Sequence, residues 1–291
     1  MKKIIVITGP TGVGKTRLSV ALAKKINGEI ITADCMQVYT GLDIGTAKIT
    51  DAEKENIPHH LFDIVDVHKN YTIFNYQKDA RSEISKITRK KHIPIFVGGS
   101  GLYIKAALYD YKLVKEKYHS EYDELSNEEL LEEIKKYHDT DIHVNNRKRL
   151  VRELNKIKNN SVNISNINEP LYDIVVIGLT TERDKLYKII DDRVDRMIKD
   201  GLIKEVKNLY DNKIDTKAIN TGIGYKELYE YFKGNITLAE AIDLIKKNSR
   251  NYAKRQYTFF NHQMDVNWFN VDFDNFDNTI NEVYEYISNI K

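Results

Sequence analysis

Gly9-Pro10-Thr11-Gly12-Val13-Gly14-Lys15-Thr16 is the stretch that decides the fold, because it fits the pattern G-x-x-x-x-G-K-[ST]. Its glycines let backbone N–H groups curl around phosphate oxygens. A helix starting where the loop ends adds the partial positive charge of its N-terminus. Lys15 supplies a point charge, and the Thr16 hydroxyl suits a phosphate-bound Mg2+. Average residue frequencies would produce the pattern by chance in roughly one chain in a hundred of this length. Its flanks are also those the mechanism requires: Ile4–Ile7 reads as a buried strand before the loop and Thr16–Lys25 as a helix after it. We expect a phosphate-binding loop at residues 9–16 and an enzyme acting on a di- or triphosphate.

Working outward, three further runs read as buried parallel strands: Glu29–Ala33, Ile93–Val97 and Ile174–Ile177. They are β-branched, almost continuously apolar and separated by helical patterns. One such helix is expected from about Tyr71 to Lys90, with Phe74, Tyr76, Ala80, Ile84 and Ile87 on one broad face. The fold class that follows is α/β, a P-loop NTPase-like parallel sheet flanked by helices. The middle of the chain breaks this rhythm. Seven carboxylates and no basic residue fall within Glu121–Glu133, the strongly basic run Arg147–Arg152 comes next, and Asn155–Pro170 is an Asn- and Ser-rich stretch that reads as a loop. We expect a helical insertion over 112–165 in a catalytic core formed by 1–111 and 166–291. The last third reads as helical, with a start at Thr181–Asp184, a stop at Gly201, and a capping box at Thr237–Glu240 that opens a helix to about Asn261.

Composition bounds the setting. An apolar fraction of 41% is enough for a buried core, and a net charge of +2 does not by itself announce a nucleic-acid binder, so charge must be read locally. Cys35 is the one cysteine, which excludes a disulfide framework or a Cys-rich zinc site within the chain and fits a reducing compartment. The apolar run after Met1-Lys2-Lys3 is too short for a signal peptide, and no stretch has the length to span a bilayer. A cytoplasmic protein with no membrane partner is expected.

Two strand ends narrow the chemistry. Many nucleotide-hydrolysing P-loop proteins place a metal-binding Asp at the end of an apolar strand. Here Ile93–Val97 runs into Gly98-Gly99-Ser100-Gly101-Leu102-Tyr103, a turn suited to close backbone approach by a ligand. Phosphate binding is implied, nucleotide hydrolysis is not. The second strand ends in Asp34-Cys35-Met36-Gln37-Val38-Tyr39. Ligands of open parallel sheets bind beyond the carboxyl ends of the strands, so Asp34 should face the phosphate loop, where a carboxylate can take a proton from an attacking amine. These residues alone leave open a kinase using ATP, and a non-catalytic RNA binder with a relic phosphate site.

The segment after Asp34 continues as Gly41-Leu42-Asp43-Ile44-Gly45-Thr46-Ala47-Lys48 and His59-His60-Leu61. With the phosphate loop, Gly98–Tyr103, Asn146–Arg152, Gly222–Glu227 and Tyr252–Gln256, it closely resembles the tRNA dimethylallyltransferases, in order and over about residues 4 to 260. The resemblance implies Mg2+-assisted transfer of a dimethylallyl group from its diphosphate to the exocyclic amine of the adenosine 3′ to a tRNA anticodon. It implies that Gly9, Pro10, Thr11, Gly12, Val13, Gly14, Lys15 and Thr16 hold the diphosphate rather than ATP, with Thr16 on the metal and Arg193 helping. It makes Asp34 the general base and an adenine contact, continued by Cys35, Met36 and Gln37, and puts Ser100 against the tRNA at the entrance of the reaction channel. A tRNA surface is implied at Lys148, Arg149, Leu150, Val151 and Arg152, at Thr221, Gly222, Ile223, Gly224, Tyr225 and Lys226, and at Arg255.

By charge alone, Arg147 extends the first of these surfaces, and Lys246, Lys247, Arg250 and Lys254, interleaved with Tyr252 and Tyr257, form a second beside Arg255. Cys35 and Ser100 stand where Ser and Thr are commoner, Val144 where Pro is usual and Ile189 where Arg is frequent. His59 and His60 read as structural, and Phe259, Phe260 and Trp268 as core. A monomer is expected.

Overall fold

The structure is a computed structural model that describes residues 2–113, 119–159 and 168–290. The chain divides into two compact units, Met1–Tyr109 with Pro170–Lys291, and Asp110–Glu169. The first unit begins β1 (Lys3–Thr8), α1 (Lys15–Ile26), β2 (Gly28–Thr32), α2 (Asp51–Lys54), β3 (His59–His60), α3 (Ile73–Arg89), β4 (Ile93–Val97) and α4 (Gly101–Leu108). The second unit holds a 3-10 turn at Ser120–Asp123, α5 (Asn127–Lys135) and α6 (Arg147–Lys158). The first unit then resumes with β5 (Asp173–Thr180), α7 (Arg183–Lys199), α8 (Leu202–Asp211), α9 (Lys217–Thr221), α10 (Tyr225–Phe232), α11 (Leu238–Gln263), β6 (Asn267–Asn270) and α12 (Phe276–Asn289).

Six strands form one sheet in the order β3-β2-β4-β1-β5-β6, and every pairing is parallel. Parallel strands are covered on both faces, which explains the unbroken apolar runs. Alternate side chains feed two cores. Ile5, Ile7, Ile30, Ile95 and Ile177 pack with Leu18 and Leu22 of α1 and Val283 of α12. Ile4, Val6, Ile31, Phe96 and Val176 pack with α3, α4 and Phe260 of α11. At about 1.5–3 kcal/mol for each fully buried side chain of this size, the central strands contribute a large share of the hydrophobic stabilisation.

The helix around Tyr71–Lys90 forms as Ile73–Arg89 behind a Thr72–Asn75 capping box, and Tyr76, Ala80, Ile84 and Ile87 are buried. Phe74 does not share that face and is 57% exposed. Two residues before Tyr76 it points about 200° round the helix, away from the sheet. The expected loop over Asn155–Pro170 also needs correction. α6 continues through Lys158, because buried Asn155 accepts from the backbone N–H of His119 at 2.7 Å and donates to the Val151 carbonyl at 2.8 Å. Residues 160–167 of that stretch lie outside the described residues.

β3 and β6 had no strand signal. β3 is two residues long, and β6 is an edge strand flanked by asparagines. Trp268 on β6 is half-buried rather than central, and its indole N–H donates to Asn261 Oδ1 at 3.0 Å. Phe259 is half-buried as well, while Phe260 is fully buried.

Candidate active site

β2, β4 and β1 are neighbours in the sheet, so the loops leaving their carboxyl ends meet at one place. Backbone bonds tie these loops together: Ala33 N–H donates to Val97 O at 2.8 Å, Ser100 N–H to Ala33 O at 3.0 Å, and Gly98 N–H to Ile7 O at 3.2 Å. The turn after β4 is tightly packed. A Cβ on Gly98 would stand 2.3 Å from the Ala33 carbonyl oxygen, and one on Gly99 1.7 Å from Gln256 Nε2. Close packing of protein therefore requires these glycines.

The phosphate loop wraps from β1 into α1. Gly9 has φ +135°, and a Cβ there would lie 2.4 Å from the Leu179 carbonyl oxygen, so only glycine fits. Val13 is fully buried beneath the loop, so what it offers a phosphate is its backbone N–H. Ile189 packs directly on the loop, its Cγ2 2.7 Å from where a Gly12 Cβ would be. Lys15 donates to the loop's own carbonyls, Gly9 O at 3.0 Å and Pro10 O at 2.6 Å. Burial, and secondly the Arg193 guanidinium, pull its pKa down to about 7, with Asp34 pulling the other way. Thr16 is exposed on the first turn of α1.

Asp34 is half-buried just past β2. Its Oδ1 accepts from the backbone N–H of Met36 at 2.8 Å and of Gln37 at 3.4 Å, while Oδ2 has no hydrogen-bond partner among the described residues. Its charge acts on both Lys15 and Arg193, placing it beside the loop. Arg193, on α7, is held among the described residues by one hydrogen bond, from Nη2 to the Thr46 carbonyl at 3.4 Å, and burial lowers its pKa. Gln37 Nε2 reaches the same carbonyl at 3.1 Å. The Cys35 N–H donates to Ser100 Oγ at 3.2 Å, and burial, reinforced by Asp34, pushes the Cys35 thiol up to about 11.

Two tyrosines complete this wall; no sequence signal marks Tyr103 as a site residue, and Tyr252 is marked only as part of a basic, aromatic-bearing surface. Burial, then Asp34, raises the Tyr252 hydroxyl well above the usual range, while Ser100 pulls the other way. Tyr103 is raised by burial and stacks on Tyr76 with centroids 4.2 Å apart. Both lie inside quoted motifs, but nothing in their spacing says which face they present. Gln256 is buried beside them and donates to Gly99 O at 3.2 Å.

Several residues expected at an RNA surface are held inside the protein. Tyr225 is fully buried and donates to Glu205 at 2.7 Å, so its side chain cannot meet tRNA. Gly222 and Gly224 are buried too, leaving Thr221 exposed and Ile223 and Lys226 half-exposed. In the second unit, Leu150 is fully buried with Leu130, Ile134 and Leu154, and Val151 packs against that core. Arg147 donates to the carbonyls of Leu125 at 2.7 Å and Asp123 at 2.7 Å, which makes it a strut of this unit. Lys148, Arg149 and Arg152 remain exposed on α6.

On α11, Lys246 pairs with Asp195 at 2.7 Å and Arg250 with Asp191 at 2.5 Å, tying the helix to α7. Arg255, over the Tyr252 ring at 5.6 Å, stays exposed with Lys247 and Lys254. No group of three or more His, Cys, Asp or Glu suited to a metal ion occurs among the described residues. No described helix is long and apolar enough to cross a membrane.

Comparison with known proteins places this geometry. The model of the IPP transferase family matches residues 37–263. A tRNA dimethylallyltransferase of Anoxybacillus flavithermus is 46% identical, the match covering 98% of this chain and 96% of that one. The crystal structure of a tRNA isopentenylpyrophosphate transferase from Bacillus halodurans superimposes with a TM-score of 0.79 at 42% identity, over 99% of this chain and 96% of that one. A eukaryotic dimethylallyltransferase captured acting on tRNA gives a TM-score of 0.83 at 29% identity, over 99% and 80%. The chain belongs to the IPP transferase family.

Proposed function

We propose that the protein transfers a dimethylallyl group from dimethylallyl diphosphate to the exocyclic amine of the adenosine 3′ to a tRNA anticodon, releasing pyrophosphate. The observation that carries this is Asp34: one carboxylate oxygen is anchored by two backbone N–H groups, the other has no hydrogen-bond partner among the described residues, and Lys15 and Arg193 lie within reach of its charge. A base and two cations at the end of a phosphate loop suit attack on an allylic diphosphate.

Adenine's exocyclic amine is a poor nucleophile because its lone pair is delocalised into the ring. Attack therefore needs a neutralised leaving group and a nearby base. In the proposed step the amine nitrogen forms a bond to the allylic carbon while the carbon–oxygen bond to the diphosphate breaks. The electron pair leaves with the diphosphate, and the amine proton passes to Asp34 Oδ2. Gly9 to Thr16, Lys15 and Arg193 meet the charge that develops on the leaving oxygens. Losing one such group costs about 3–4 kcal/mol of transition-state stabilisation.

Thr16, exposed on the first turn of α1, would hold a Mg2+ that neutralises charge on the leaving group. The target base must leave its stack, and Cys35, Ser100 and Tyr252 make the wall against which it would lie. Lys148, Arg149 and Arg152 in the insertion are read as tRNA-backbone contacts of that unit, and Arg255 and Thr221 as tRNA contacts of the other. We read the enzyme as a cytoplasmic monomer.

Asp34→Asn tests the mechanism. Single-turnover prenylation of an undermodified tRNA with dimethylallyl diphosphate and Mg2+ should fall by about 10²–10⁴-fold, with tRNA affinity nearly unchanged. Equal losses in binding and turnover would sink the base assignment. Phosphate transfer from ATP by the wild type, with no prenylated adenosine, would sink the function.

A further inference from the structure

We infer that Glu205 is a positioning residue for this transfer: it fixes the turn at 43–46, and the turn in turn aims Arg193. The inference rests on the reading that Arg193 meets the diphosphate. Glu205 projects from α8, and both of its oxygens are fully engaged by protein. Oε2 accepts from the backbone N–H of Asp43 at 3.1 Å and of Ile44 at 2.7 Å. Oε1 accepts from the Gly45 N–H at 3.1 Å and from the Tyr225 hydroxyl at 2.7 Å. Three successive amides converging on one carboxylate make an anion nest filled from within the chain. Its acceptor capacity is spent, so it has none left for a substrate.

The next residue links this nest to the site. The Thr46 carbonyl accepts from both Arg193 Nη2 at 3.4 Å and Gln37 Nε2 at 3.1 Å. Gln37 in turn accepts from Thr32 Oγ1 at 3.3 Å, at the end of β2. That carbonyl is the one protein partner of the guanidinium among the described residues, which leaves the other donors free for phosphate oxygens. The turn has bonds of its own, from Ala47 N–H to Ile44 O at 2.9 Å, Lys48 N–H to Asp43 O at 2.9 Å and Thr46 Oγ1 to Leu42 O at 2.6 Å, but the amides of Asp43, Ile44 and Gly45 have their acceptor in Glu205. Ala47 sits at φ +44°, a left-handed conformation that costs a non-glycine residue energy. A Cβ on Gly45 would come 2.6 Å from the Tyr225 ring, so the turn lies hard against the residue that orients Glu205. Lys48 Nζ closes the other side, bonding Asp43 Oδ1 at 2.6 Å and the Tyr39 carbonyl at 2.8 Å. Without Glu205 three amides lose their acceptor together, the turn relaxes, and the carbonyl that aims Arg193 moves with it.

A double-mutant cycle tests this. Glu205→Gln keeps the side-chain shape but turns an NH2 group toward backbone donors. In otherwise wild-type enzyme it should lower kcat/KM for dimethylallyl diphosphate by roughly 10- to 100-fold, the scale of a misplacement of about 1 Å. The KM for tRNA should stay within about twofold of wild type. In the Arg193→Ala background the same substitution should cost less than about twofold, because there is no guanidinium left to misplace. Equal losses in the two backgrounds would overturn the proposal and reduce Glu205 to a stability residue. If Arg193→Ala alone left kcat/KM for dimethylallyl diphosphate untouched, the assignment of Arg193 would fail first, and the proposal with it. Should Glu205→Gln not fold, Tyr225→Phe removes one of the four hydrogen bonds and runs through the same cycle with the same criteria.

Discussion

Lys15 folds its ammonium back onto the carbonyls of Gly9 and Pro10, and burial brings its pKa to about 7. Below that pH the charge is already in place when a diphosphate arrives. Above it the incoming anion must also recruit a proton. Affinity for pyrophosphate should therefore be level below pH 7 and weaken above it, approaching tenfold per pH unit. Because pyrophosphate itself titrates, the measured quantity is the calorimetric affinity of wild type minus that of Lys15→Met. A constant difference from pH 6 to 9 would contradict the assignment. Lys15, Thr16 and Asp34 were legible because each has a fixed place in a strand–loop–helix unit. Tyr103 and Glu205 were not, because a residue type inside a helical stretch does not say which group it will face.

At the scale of elements, α6 separates two kinds of arginine that look alike in sequence. Arg147 spends its donors on carbonyls of its own unit, whereas Lys148, Arg149 and Arg152 project into solvent. Replacing those three with alanine should reduce the slope of log affinity for tRNA against log salt by about 1 for each phosphate that is no longer neutralised. Arg147→Ala should leave the slope alone and lower the melting temperature instead. Filter-binding titrations between 50 and 200 mM salt distinguish the two, and a slope unchanged by the triple substitution would remove α6 from the RNA surface. α11 teaches the same lesson. Its positive charge was evident, but Lys246 and Arg250 are consumed by Asp195 and Asp191 of α7, carboxylates more than fifty residues away in sequence.

The whole molecule carries a second charge cluster at the opposite end of β2. Glu29 is buried at 1% exposure and bonds His60 Nε2 at 2.7 Å, His92 Nδ1 at 2.6 Å and Lys90 Nζ at 3.1 Å. Burial opposes its charge, but these three partners outweigh burial and hold the carboxyl below its ordinary value of 4.5. A carboxyl depressed on folding contributes stability at pH above its unfolded value, and the contribution drains away as pH falls through the folded one. Glu29→Gln should therefore be less stable than wild type at pH 7, with the gap closing below about pH 4.5. Denaturant midpoints across that range measure it, and a gap that widened in acid would refute the account.

Local order determined the phosphate loop, the four long strands, the capping boxes and the side of the sheet on which Asp34 lies. Each depends on periodicity or on backbone preferences that act over a few residues, and parallel strands leave little choice about where their carboxyl ends point. The tertiary structure alone decided what filled the Gly98–Gly99 turn, which cations stayed free, why Phe74 turned outward, and how Glu205 came to hold the turn beside Arg193. Those outcomes depend on partners far apart in the chain. Glu205 and Asp43 are 162 residues apart, a separation that no local pattern reaches.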